Sequence, residues 1–379
     1  MMNWLRSCMT LVVLALLGTG AASAAVPSAK TLDARIPALM KREQVNGLAI
    51  AVIDGGQMHY LRAFGWRSVE RRLPLTTDTI MYGASLSKAA FAYYVLKLVD
   101  AGRLDLDAPL AKWLPEPLPD YPEYSALDAR WKLLTPRMLL NHSSGLGNFA
   151  QLEPDGKLQF HFDPGTRYAY SGAGINLLQF AIEKGLGVEV GAGMQRQVFE
   201  PLGMQRTSMS WRDDFAPDLA DGYAIDGKTE AHDHRDNVRA AGSMDTTIAD
   251  QARLWAAMIR GEGLSKHSRE ELTRPQLPIT SAHQFPTFLA ATDANNTAIA
   301  LAAALGVVTF RDLHGPSFFK GGHNDVTGNM VICQERLQRC VVLLANDVRA
   351  ELIYPEIATL VLGSTRMPWR WDNDAAPRR

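Results

Sequence analysis

The chain has 379 residues, and its 39 Lys and Arg nearly balance its 40 Asp and Glu. No net field or Lys/Arg block exists to recruit a nucleic acid or an anionic membrane surface, so neither is expected as a partner. With 47% hydrophobic residues, the composition is that of a globular protein, and the length exceeds one simple core and implies two lobes.

Residues 1–24 read as a secretory leader. Arg6 supplies the positive charge, 9–17 are apolar apart from Thr10, and Ala22-Ser23-Ala24 forms a small-residue cleavage site. The apolar run is far shorter than the roughly 20 residues of a membrane span. Cys8 lies inside it and does not read as a lipid-attachment cysteine. The expectation is a periplasmic or secreted protein with no membrane insertion after cleavage.

Residues 47–53 and 58–64 read as strands around Asp54-Gly55-Gly56, a hairpin signal. Thr77-Asp78-Thr79 is a turn. Ser85-Leu86-Ser87-Lys88 then opens a run, 89–99, that is apolar or aromatic at nearly every position and is closed by Asp100-Ala101-Gly102. That pattern predicts a buried helix. From 105 to about 263 helices and loops dominate, with helices expected near 136–140, 174–185, 191–199 and 247–259. Strand character returns at 305–310 and 317–319, followed by a hairpin of 329–333 with 340–346 and a last helix over 350–362. Cys333 and Cys340 flank the hairpin loop, where an antiparallel ladder can set them face to face. In an oxidising compartment a disulfide is the expected reading.

Strands at both ends with helices between give an α/β fold, an antiparallel sheet flanked by helices and built from both ends of the chain. The sheet lobe is drawn at 25–104 plus 300–364, and a mainly helical lobe at 105–299 is inserted into it. Residues 365–379, with Trp369 and Trp371 in polar surroundings, are expected as a surface tail. A ligand cleft belongs between the lobes.

Three short stretches carry chemistry. Ser85 and Lys88, three apart at a helix start, share a face, so the amine can reach a hydroxyl that needs a base to act as nucleophile. Tyr170-Ser171-Gly172 precedes a helix. Lys320-Gly321-Gly322-His323 follows a strand, and two glycines there weaken it unless something must approach the backbone closely. A fourth stretch, His232-Asp233-His234-Arg235-Asp236, is the one candidate for a metal, a zinc ion on His232 and His234. No third ligand is evident in its spacing, and no cofactor is expected.

Taken together, the first three stretches resemble the motifs of the serine β-lactamase and penicillin-binding protein superfamily, closest to its class C branch, which also holds esterases and D-amino-acid peptidases. The order Ser-x-x-Lys, Tyr-x-Asn, Lys-(Ser/Thr)-Gly is kept. Gly47-Leu48-Ala49-Ile50-Ala51-Val52, Leu139-Leu140-Asn141-His142-Ser143-Ser144-Gly145-Leu146 and Glu200-Pro201-Leu202-Gly203-Met204 are also similar to the family. The resemblance spans roughly 36–362. Gly172 stands in place of the motif asparagine, with Asn176 one turn later, and Gly321 in place of Ser/Thr. The third motif is placed at Lys320 rather than at His323-Asn324-Asp325, because the count from Lys320 to Leu344-Ala345-Asn346 matches the family spacing.

The resemblance implies an acyl-enzyme at Ser85 and an oxyanion hole from the backbone N–H groups of Ser85 and His323. It also implies substrate contacts near Gly172, Asn176, Gly321 and Gly322. The base is Lys88 as neutral amine, Tyr170 as phenolate, or the two sharing a proton. A phenol would have to fall from about 10 to near 7 to ionise, which the charges of Lys88 and Lys320 could supply. Lys320 suits a substrate carboxylate, as in a β-lactam or a peptidoglycan-derived peptide ending in D-alanine. β-Lactam hydrolysis is the leading expectation, a D-alanyl peptidase or an esterase the alternatives, and a non-catalytic sensor the remaining one.

Overall fold

Gly55 and Gly56 both adopt positive φ, 56° and 73°, the pair a two-residue hairpin turn demands. They join strand β1 (Gly47–Asp54) to β2 (Gln57–Ser68). The computed structural model describes residues 25–372, so the segment 1–24, expected as a leader, and the last seven residues lie outside the described residues. β3 is Leu73–Pro74, β4 Leu277–Pro278, β5 Ala302–Ala303, β6 Val308–Asp312, β7 Gly315–His323, β8 Gly328–Gln334 and β9 Arg339–Ala345. These form one sheet in the order β3-β2-β1-β9-β8-β7-β6-β5-β4, antiparallel throughout. The N-terminal hairpin thus docks on the last strand, and the two ends of the chain share one sheet as expected.

Alternation along β1 sorts the core into two layers. Leu48, Ile50 and Val52 pack with Met330, Ile332, Val341 and Leu343 on one face. Two helices cover that face, α1 (Ala29–Glu43) through Leu32 and Ile36, and α5 (Tyr354–Leu362) through Ile357 and Val361. Ala49, Ala51 and Ile53 point the other way with Val331, Val342 and Leu344. Against them lie α2 (Leu86–Asp100) and α4 (Ile248–Arg260), the latter capped by Thr247. Helix α3 (Gly172–Leu186) starts from Ser171, whose hydroxyl accepts the Gly174 N–H. Within the 105–299 stretch expected as the helical lobe, α4 lies on β1 and β9, and β4 joins the edge of the sheet.

Cys333 and Cys340 pair in register on β8 and β9 and form the disulfide, both fully buried. The bridge closes a loop of sequence separation 7, for which the chain-entropy relation gives about 2.5 kcal/mol. Replacing both cysteines by alanine should lower the unfolding free energy by about that amount in urea titrations, and by clearly less if the hairpin packing alone holds the loop.

The tail departs from expectation. Through residue 372 it is no surface extension: it folds back as a short helix, α6 (Trp369–Asp372), with Met367, Trp371 and Asp372 buried. The physical reason is the two tryptophans, whose apolar area is too large to leave in water at about 25 cal/mol per Å². Among the described residues, no helix is long and apolar enough to cross a membrane.

Candidate active site

The turn before Ser85 is strained. Ala84 has φ 46°, a left-handed conformation that costs a residue with a Cβ roughly 1–2 kcal/mol. Ser85 sits at the N-cap of α2 yet makes no capping bond with its side chain. Its hydroxyl is held instead by two buried donors, Lys88 Nζ at 2.8 Å and the Tyr170 hydroxyl at 2.8 Å. Lys88 also donates to the Ala241 carbonyl at 2.5 Å, and the Ala241 N–H donates to Asn176 Oδ1 at 3.0 Å. Asn176 therefore holds the carbonyl that aims the lysine.

Charge at this centre follows from burial. Desolvation first, and the charge of Lys320 second, push the Lys88 amine well below the ordinary lysine range. The Tyr170 phenol is pushed up by burial, its bond to Ser85 works against this, and Asp372 adds to the rise. The lowered phenol expected from the sequence is therefore not found, because the loss of water dominates at this buried ring. His142, with φ 58°, stacks on the Tyr170 ring at 4.5 Å and accepts the Ser171 N–H at Nδ1, 3.2 Å away. Burial pushes this imidazole well down, helped by Lys88 and Lys320, so it braces the tyrosine as a neutral ring.

Lys320 lies on β7, with Nζ 5.4 Å from the Tyr170 ring centre and donating to the Gly321 carbonyl at 2.6 Å. Burial pushes it down to about 8, with Asp372 working against the fall. A Cβ on Gly322 would lie 3.0 Å from the backbone nitrogens of Ser85 and Leu86. Glycine thus lets β7 run against the start of α2 and brings the backbone at His323 beside Ser85. The His323 ring turns away to Glu351, Nδ1 to Oε1 3.4 Å.

These groups line a cavity of about 430 Å³ that holds every predicted catalytic and substrate-contacting residue except Gly172. Its wall also carries residues that went unread in the sequence, among them Asn148, Phe149, Gln284 and Asp372. Gly172 lies behind the wall. Its N–H donates to Asn148 Oδ1 at 2.8 Å, and a Cβ there would come within 2.5 and 2.6 Å of the Phe149 ring. Phe149 thus takes the volume of the missing side chain. Gly172→Asn alone should cost about 1–3 kcal/mol through overpacking, and adding Phe149→Ala should restore much of it, as read by thermal melts of both variants.

The metal candidates are engaged separately. His232 Nε2 pairs with Asp245 Oδ1 at 3.0 Å, while His234 stacks on Trp211 at 3.7 Å. Among the described residues no group of three or more His, Cys, Asp or Glu is placed to hold a metal ion.

A helix-borne serine joined to a lysine and a tyrosine, facing a strand of an antiparallel sheet, is the arrangement of the serine β-lactamase and penicillin-binding protein superfamily. The chain belongs to the Beta-lactamase family, whose model matches residues 32–362. It is 26% identical over 282 residues to penicillin-binding protein 4* of Bacillus subtilis (strain 168), covering 65% of this chain and 59% of that protein. It is 30% identical over 203 residues to esterase EstB of Burkholderia gladioli, covering 47% of this chain and 50% of that protein. The chain thus spans only half to three-fifths of the length of these relatives. The octameric penicillin-binding protein homologue from Pyrococcus abyssi shares the fold, with a TM-score of 0.70 and 22% identity over 88% of this chain and 77% of that one.

Proposed function

We propose that the protein is a serine acyl-hydrolase that forms an acyl-enzyme at Ser85. The observation that carries this reading is the pair of 2.8 Å bonds on the Ser85 hydroxyl, one of them from a lysine pushed toward the neutral amine. Neutral Lys88 takes the proton as Ser85 attacks an ester or amide carbonyl. The Tyr170 phenol, protonated and bonded to the same oxygen, then passes a proton to the leaving group and recovers one from the deacylating water, and Lys88 returns its proton to the Ser85 oxygen as the acyl group leaves. The backbone N–H groups of Ser85 and His323 receive the oxyanion, the first at a helix N-terminus. Asn148 spends its carbonyl oxygen on Gly172, which leaves its NH₂ to meet a substrate amide.

β-Lactam hydrolysis, or cleavage of a D-alanyl peptide, remains a second reading, and Lys320 in the cavity wall is the observation that favours it. The buried disulfide supports an oxidising compartment, so the periplasm or the exterior is the proposed location. Intact-protein mass spectrometry tests the chemistry. The wild type mixed with p-nitrophenyl butyrate or a penicillin should gain the acyl mass, and Ser85→Ala should not. Turnover surviving in Ser85→Ala would overturn the mechanism.

A further inference from the structure

Asp372 lines the same cavity as Lys320, the cation expected to meet a substrate carboxylate. Its side chain is buried, lines the same cavity as Ser85, and faces β7 so closely that a Cβ on Gly321 would lie 3.3 Å from each carboxylate oxygen. Position 321 is thus a glycine with a carboxylate from the far end of the chain filling the space beside it. Gln284 holds that carboxylate in place: its Nε2 donates to Asp372 Oδ1 at 3.3 Å, and its backbone N–H donates to the Trp371 carbonyl at 2.8 Å.

We propose that Asp372 is a specificity-determining residue that occupies the anion subsite of Lys320, so that the enzyme takes uncharged acyl donors and discriminates against substrates bearing a carboxylate beside the scissile bond. This rests on the acyl-hydrolase reading above and narrows its substrate class.

The electrostatics run one way. Lys320 and Asp372 act on each other through charge, each favouring the ionised form of its neighbour. Desolvation raises the Asp372 carboxyl to about 6, with His323 and Lys320 holding it down, so at neutral pH it is mostly ionised. An incoming carboxylate would meet a fixed anion whose charge already acts on Lys320, and like charges set together in a water-poor site repel strongly. Arg239 also lines the cavity but is exposed. Solvent screens its charge, and it does not restore a local anion site. A neutral ester meets none of these penalties.

The test uses two esters of phenylacetylglycine that differ only in the leaving group, m-carboxyphenyl against m-carbamoylphenyl. The quantity read is the ratio of kcat/KM for the charged ester to that for the neutral one. In the wild type the ratio should lie below about 0.1, and Asp372→Asn and Asp372→Ser should each raise it at least about tenfold. Lys320→Met should lower it further. An unchanged ratio in both Asp372 variants, each confirmed folded by its melting curve, overturns the proposal.

Binding of the same two esters to Ser85→Ala, with and without Asp372→Asn, is measured by calorimetry and separates this inference from the catalytic reading. A neutral-over-charged preference that Asp372→Asn removes upholds the inference even if the wild type hydrolyses neither ester. A preference that Asp372→Asn leaves in place, or binding of neither ester, overturns it whatever the turnover.

Discussion

Lys88→Met is expected to lower kcat/KM by about 10³-fold or more while making the folded chain more resistant to acid. The first part follows because the variant keeps the shape of the side chain and removes the base, a group whose positioned proton transfer contributes about 10²–10⁴. The second follows from linkage. The folded Lys88 loses its proton well below 10.5, so between its folded value and 10.5 the unfolded chain binds more protons than the native one. Stability of the wild type therefore falls as pH drops through that window. Methionine has no proton to bind, so the difference in Tm between Lys88→Met and wild type should grow as pH falls from 10.5 toward the folded value of Lys88 and level off below it. A difference that stayed constant from pH 10.5 downward would mean that the lysine is charged in the fold. The pH-rate profile must agree: acylation by a neutral amine gains with rising pH as Lys88 loses its proton. A profile that falls through neutral pH would contradict the same assignment from the kinetic side.

Much of this centre was legible in the sequence because its parts are local. Ser85 and Lys88 are placed by one helical turn, and the β1–β2 and β8–β9 hairpins announce themselves by Gly55-Gly56 and by alternating apolar runs. Cys333 and Cys340 follow from the second hairpin's register. Helix α1 was equally readable and went unread. Ser28 caps it, and Leu32, Ile36, Leu39 and Met40 recur at helical spacing. Other features depend on contacts that no local pattern encodes. That Phe149 fills the space beside Gly172, or that Asp372 settles against Gly321, requires segments more than twenty residues apart to meet. The protonation states belong to the same class. Two lysines near a phenol suggest a lowered phenol, whereas burial, with Asp372 adding to it, raises this one. Sequence separation and desolvation are the two quantities a linear reading lacks.

The tail offers a second large effect, this time on stability. Trp371→Ala is expected to cost about 3–5 kcal/mol, the range for emptying a buried tryptophan site. The indole is 3% exposed, packs against Tyr168 and Phe319 with centroid distances of 5.7 and 6.2 Å, and donates its N–H to Ser281 Oγ at 3.2 Å. Urea unfolding monitored by far-UV circular dichroism reads the loss as a lowered midpoint. A surface extension would shift it by no more than about 0.5 kcal/mol, so the two descriptions of the tail differ by a wide margin. The same substitution reaches the acyl site through the backbone, because the Trp371 carbonyl accepts the Gln284 N–H and Gln284 also accepts the Tyr168 hydroxyl at 3.1 Å. Loosening the indole frees Asp372 from its station beside Gly321. Trp371→Ala should therefore move the charged-to-neutral ester ratio in the same direction as Asp372→Asn, while a core residue remote from the cavity, such as Ile357 on α5, should lower stability when cut to alanine and leave the ratio alone. If both variants moved the ratio equally, its change would report general loosening of the fold rather than the carboxylate that the tail delivers.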